Sequence, residues 1–142
     1  MHQLAARALF KADIARSERA AKLRGWYIYD NTFPVFDVGF RREEKIELRV
    51  RLRAPNWNDD PPSVELLNAD GELLQVGQTP GHGFFNASAH PATGRPFICS
   101  PGALEYHLHP SHTSDKWDNY KNALTLGDLL SRAYNAWLDA TK

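Results

Sequence analysis

Lys45-Ile46-Glu47-Leu48-Arg49-Val50-Arg51-Leu52-Arg53 is the stretch on which the fold turns. Ile46, Leu48, Val50 and Leu52 alternate strictly with charged residues, and successive side chains of a strand point to opposite faces. Such a strand buries one face and leaves the other charged and wet, as in an antiparallel sheet covered on one side. A solvated sheet face accounts for Arg49, Arg51 and Arg53. A single-stranded nucleic-acid site would interleave aromatics with them, and none is present. Upstream, Trp26-Tyr27-Ile28-Tyr29 and Val35 to Phe40, after Pro34, are dense in β-formers. Downstream, Pro55, Pro61 and Pro62 interrupt the chain. Val64 to Leu67 and Leu73 to Val76 then flank Asn68-Ala69-Asp70-Gly71, a turn in which Asp-Gly supplies the positive φ.

Helices are expected at the two ends. His2 to Leu23 lacks Gly and Pro and is rich in Ala, Leu, Arg and Lys, with Gly25 as its stop. Leu4, Ala8, Leu9, Ala12 and Ala15 recur at helical spacing and define its expected apolar face. Its basic face is either a solvated surface or a docking surface for a partner. Near the other end, Thr125 and Asp128 form a capping-box start. Leu126, Leu129, Leu130, Ala133, Trp137 and Leu138 follow as one apolar stripe. Between the strands and this helix, Gly77 to Cys99 reads as a long irregular loop, the kind that is functional or mobile in a compact domain. The order predicts an α+β fold of one domain, residues 1–142, with helices packed on an antiparallel meander sheet.

The 142 residues include 42% hydrophobic and 11% aromatic residues, enough for one core without disulfides or metals. Lys and Arg number 17 and Asp and Glu 17, so no net charge draws the chain to nucleic acid or to an acidic membrane. A lone cysteine forms no internal disulfide and suits a reducing compartment. No apolar run approaches the ~20 residues of a membrane span. Arg7, Lys11, Asp13 and Arg16 leave no apolar signal region, so a cytoplasmic protein is expected.

Cys99 lies in Arg95-Pro96-Phe97-Ile98-Cys99-Ser100-Pro101-Gly102, where two prolines and a glycine disfavour regular structure. By composition alone it is an inert core thiol, because free cysteines are among the most buried residues. A second group gathers His107, His109, His112 and Asp115. His-x-His-x-x-His offers three imidazoles to a zinc ion, but the spacing matches no standard metal motif and Pro110 breaks a helix there. The same histidines can pin a loop by hydrogen bonds. They can also donate to an oxyanion or relay a proton near neutral pH.

The wider context changes the reading of Cys99. His90-Pro91, then Gly94, then Ile98-Cys99, resembles the active-site segment of the ubiquitin-conjugating enzymes, in which a His-Pro-Asn turn leads through a Gly to the cysteine. His90 and Cys99 are nine positions apart, close to the family's separation. Pro61-Pro62-Ser63-Val64 resembles the Pro-Pro opening the family's last strand, and Trp117 stands where the family has a Trp after the Cys. Ala123-Leu124-Thr125-Leu126 with Leu129-Leu130 resembles its crossover helix. The resemblance covers most of the chain, in order.

The resemblance implies that Cys99 carries the C-terminus of a ubiquitin-like protein as a thioester and passes it to a lysine amine. It implies no cofactor, no metal, and a structural role for His90 in ordering the turn. The family's Asn, assigned to the oxyanion, corresponds here to Ala92, which has no side-chain donor. His107, His109 and His112 are the candidates to replace it, with Asn86 upstream as a further donor. Ala92, together with a chain ending soon after the crossover helix, resembles the divergent prokaryotic members. Among these the likeness is best to those of antiphage (CBASS) operons, encoded beside a cyclic-oligonucleotide synthase. That implies a partner: the C-terminus of this nucleotidyltransferase, conjugated to a lysine target. No glycine loop for ATP is present, so either a separate activating enzyme supplies the acyl group or Cys99 attacks a peptide bond directly. Two other classes remain open. One is a catalytically degenerate protein-binding module on the same fold, the other a zinc-dependent hydrolase using the histidine cluster.

Overall fold

The protein is described by a computed structural model covering residues 2–142. Helix α1 (Gln3–Arg24) ends as its sequence predicts, with Gly25 at φ 71°. The left-handed conformation costs glycine nothing and closes the last turn. Strands β1 (Tyr27–Asp30), β2 (Val35–Arg42), β3 (Lys45–Arg53) and β4 (Ser63–Leu67) form an antiparallel sheet in chain order, a meander. A two-stranded ladder follows, β5 (Phe85–Asn86) with β6 (Phe97–Ile98), then α2 (Leu104–Leu108). Pro110–His112 and Trp117–Asn119 each make a 3₁₀ turn. Helix α3 (Leu126–Ala140) starts at a complete capping box of Thr125 and Asp128. The architecture is α+β. No helix among the described residues is long and apolar enough to cross a membrane.

The alternation in β3 has the expected consequence on one side. Leu48, Val50 and Leu52 are buried with Phe36, Val38 and Phe40 of β2 and Val64 and Leu66 of β4. They pack with Phe10 and Ile14 of α1 and Leu129, Leu130, Ala133 and Trp137 of α3 in one apolar cluster. The opposite face is less wet than the alternation predicts. Register sets Asp37 opposite Arg51 and Arg51 opposite Glu65. Asp37 is buried and accepts from Arg49 at 2.7 Å, while Glu65 accepts from Arg51 and Arg53 at 2.8 and 2.9 Å. Arg49 also lies 3.6 Å over the Tyr29 ring. Tyr29 reaches that position because residue 39 is glycine: a Cβ there would stand 2.8 Å from the ring. The charged residues form a cross-strand ladder with their own partners.

Leu4, Ala8, Leu9, Ala12 and Ala15 all face outward, and α1 buries Ala6, Phe10, Asp13, Ile14, Ser17 and Ala21 instead. A hydrophobic count misplaces this face because two of its members are polar. Asp13 is buried and accepts the Leu126 amide at 3.2 Å, joining α1 to the start of α3. Ser17 fills the space left at Gly127, where a Cβ would stand 2.5 Å from its hydroxyl oxygen. Removing the Asp13 acceptor orphans a buried amide. Asp13→Ala is therefore expected to lower stability by about 1–3 kcal/mol in urea unfolding, an effect larger than loss of the exposed Arg16 pair alone would give.

Leu73 to Val76, expected as a strand, do not form one. The pairing ends at one bridge, Leu67 with Leu73, and one bond from the Leu74 amide to the Leu66 carbonyl at 2.9 Å. The Asn68 side chain holds the turn by accepting from the Asp70 and Glu72 amides, both at 3.0 Å. Leu74 is buried, but Gln75 and Val76 are exposed, so no apolar face continues the ladder. The irregular stretch that follows is bound to the fold through β5 and β6.

Candidate active site

Strand β6 brings Cys99 to the surface. Phe97 and Ile98 are buried anchors, and the Cys99 amide donates to the Phe84 carbonyl at 2.9 Å. The thiol that follows is half-buried. Gly102, at φ 102°, then turns the chain into α2 against Leu124, whose side chain occupies the place of a Cβ.

His90 lies against this segment. It is buried, its Nδ1 accepts the Ala92 amide at 3.0 Å, and Nε2 therefore carries the proton that goes to the Glu105 carbonyl at 2.7 Å. Its ring stands edge-on to Phe97 with centroids 4.7 Å apart. The Glu105 side chain extends the tie, accepting the Val64 amide at 3.0 Å. One short helix thus fastens the His90 turn to the end of the sheet.

Burial raises the Glu105 pKa, despite amide donors that favour its charge. A carboxyl whose pKa is higher folded than unfolded adds most stability when protonated, and that contribution is lost as pH rises through the unfolded and then the folded value. Gln keeps the acceptor for Val64 and never ionises. Glu105→Gln is expected to raise the urea midpoint at pH 7 relative to the wild type, with the difference shrinking to nothing below the ordinary carboxylate range.

The three downstream histidines divide. His112 faces the thiol, with Nε2 3.6 Å from Cys99 Sγ. His109 caps the 3₁₀ turn, Nδ1 accepting the Ser111 amide at 3.1 Å, which leaves the proton on Nε2. Its ring stacks on Phe97, centroids 5.6 Å apart, and lies 5.7 Å from the His112 ring. His107 differs: Nε2 accepts the Gly102 amide at 3.1 Å and Nδ1 donates to the Asp115 carbonyl at 2.8 Å. Both its nitrogens bind backbone, so it is a loop pin with no nitrogen turned to substrate. Asn86 lies opposite Phe97 in the β5–β6 ladder, where its side-chain oxygen accepts the Ser88 amide at 2.9 Å.

His107 has no free lone pair, and among the described residues no group of three or more His, Cys, Asp or Glu is arranged to hold a metal.

Burial pushes the Cys99 thiol above its ordinary pKa. It rests as the neutral thiol at neutral pH, and reaction requires a base. His112 is the group within reach. Beneath it, Asp115 accepts from the Tyr106 and Tyr120 hydroxyls, which hold its carboxyl below the ordinary range, while Tyr106 is pushed up to about 12. The sequence singled out neither tyrosine, nor Glu105. Their one signal was position, since Tyr106 and Tyr120 bracket the histidine cluster.

Compared with known proteins, the chain matches no family model and no curated protein.

Proposed function

We propose that the chain is a ubiquitin-conjugating-like acyltransferase in which Cys99 carries a protein C-terminus as a thioester and His112 moves the protons. The observation that supports this reading most is the Cys99–His112 pair, a half-buried neutral thiol with an imidazole nitrogen 3.6 Å away. The chain order supports it too, with an N-terminal helix, a four-stranded meander, the cysteine after a His-Pro turn, and a final helix. In the first step His112 takes the Sγ proton, a bond forms between sulfur and the modifier's terminal carbonyl carbon, and the leaving group departs. That group is the adenylate phosphate when a separate activating enzyme supplies the acyl group. It is an amine, protonated by the imidazolium, when Cys99 cuts a peptide bond directly. In the second step a lysine amine attacks, the carbon–sulfur bond breaks, and the amine proton passes to the site. His109, protonated on Nε2, is the donor for the tetrahedral oxyanion in place of the Asn that Ala92 replaces. His107 is reassigned as scaffold.

The modifier in this reading is a ubiquitin-like protein or the C-terminus of a cyclic-oligonucleotide synthase, and the setting is bacterial antiphage defence in the cytoplasm. Purified chain incubated with either modifier, with and without an activating enzyme and ATP, tests it on a non-reducing gel. A band that survives detergent and disappears with thiol supports the transferase. Complex formation without a covalent band in every condition supports the binding module instead.

A further inference from the structure

His112 sits on a single 3₁₀ turn, and among the described residues its side chain is hydrogen-bonded to Cys99. Two rings flank it: His109, which caps the same turn, 5.7 Å away and tilted, and Tyr106, which is closer. Tyr106 lies nearly parallel to His112, with centroids 4.2 Å apart and 18° between planes. Tyr106 is itself anchored, because its hydroxyl donates to Asp115 Oδ2 at 2.6 Å. The same carboxylate accepts from Tyr120 at 2.9 and 2.8 Å, which holds it from the other side. The Asp115 backbone completes the frame: its amide donates to the His112 carbonyl at 2.9 Å, and its carbonyl accepts from His107.

We infer that Asp115 is a positioning residue: it clamps the Tyr106 ring, and that ring sets the plane of His112 so that Nε2 faces the Cys99 sulfur. Asp115 touches neither the thiol nor an acyl group. The proton moves from Sγ to Nε2 as sulfur attacks carbon, and Asp115 keeps its charge throughout. A loose imidazole would spend most of its time out of line, and misplacement by about 1 Å is enough to cost a rate of order a hundredfold.

The inference rests on Cys99 being the reacting thiol, and alkylation of the full chain by iodoacetamide reads the pair without any modifier. In that reaction the sulfur–carbon bond forms, iodide leaves and the proton goes to the imidazole. Across pH 6 to 9, Asp115→Ala and Tyr106→Phe are expected to slow alkylation at neutral pH by up to about a hundredfold. Their profiles approach that of His112→Ala, whereas Asp115→Asn, which still accepts from the Tyr106 hydroxyl, stays near the wild-type rate. If Asp115 merely stiffens the loop, the variants lose melting temperature with an unchanged alkylation profile, and that result overturns the inference. Should Asp115→Ala fail to fold, Tyr106→Phe decides, since it removes one oxygen atom and keeps the stacked ring; a wild-type profile there overturns the inference. A His112→Ala profile equal to wild type has a different meaning, because it removes the Cys99–His112 pair and with it the proposed chemistry.

Discussion

Under the proposed transferase reading, Cys99→Ala is expected to abolish every covalent adduct with the modifier, and Cys99→Ser to convert the thiol-labile adduct into a steadier ester. The expected loss is complete because the chain has one cysteine and no second sulfur can take over. A serine oxygen is a poorer nucleophile at neutral pH but forms an ester that thiol reagents do not reverse. Cys99 is half-buried, and the bond that seats it comes from its backbone amide to Phe84. Both variants keep that bond. Their far-ultraviolet circular dichroism and urea midpoint are therefore expected to stay close to wild type, which separates loss of chemistry from loss of fold. Persistence of the adduct in Cys99→Ala would move the attachment to a lysine or serine.

His112→Ala has the second largest effect. General-base assistance by a placed imidazole is worth about 10²–10⁴-fold, and thioester formation is expected to fall by that order at pH 7. The pH dependence carries the sign. Burial holds the Cys99 pKa above its ordinary value, so little thiolate exists at neutral pH. With His112 present, its imidazole accepts the proton as the bond forms. Without it, the rate follows the thiolate fraction, rising steeply with pH until the thiol itself titrates. Wild type and variant therefore converge in alkaline solution. An equal loss at every pH would assign His112 to substrate binding.

How far the sequence could be read depended on what kind of pattern each element carries. Strand β3 was legible to the residue because alternation has a period of two and one face had to be apolar. The start of α3 was legible from Thr125 and Asp128, whose two hydrogen bonds close the capping box. Helix α1 was legible in extent but not in facing, since Asp13 and Ser17 lie on its buried side for reasons that exist only once α3 is present. The hairpin at Asn68–Gly71 misled for a related reason: the turn forms, yet Gln75 and Val76 have no core to face.

Legibility in the site was also uneven. Cys99 and the His90 turn stand close together in the chain and follow a known order, so the sequence brought them forward together. Which histidine meets the thiol was not legible. His107, His109 and His112 are similar in composition and spacing, and only the 3₁₀ turn at Pro110 decides that His112 reaches Cys99 while His107 is occupied by Gly102 and Asp115. The Tyr106–Asp115–Tyr120 group stayed hidden because hydroxyls and carboxylates are common in loops, and their convergence is a property of the folded chain.

The central claim is that Cys99 carries an acyl group, and intact-mass measurement on the chain co-expressed with its genomic neighbours tests it most directly. The account predicts a mass gain equal to the acyl partner less one water (the whole protein, or its N-terminal fragment where Cys99 cuts a peptide bond), mapped to the peptide containing Cys99 and removed by hydroxylamine or excess thiol. An unmodified mass in the presence of partner and activating conditions would contradict it, as would a gain that hydroxylamine leaves in place on another residue.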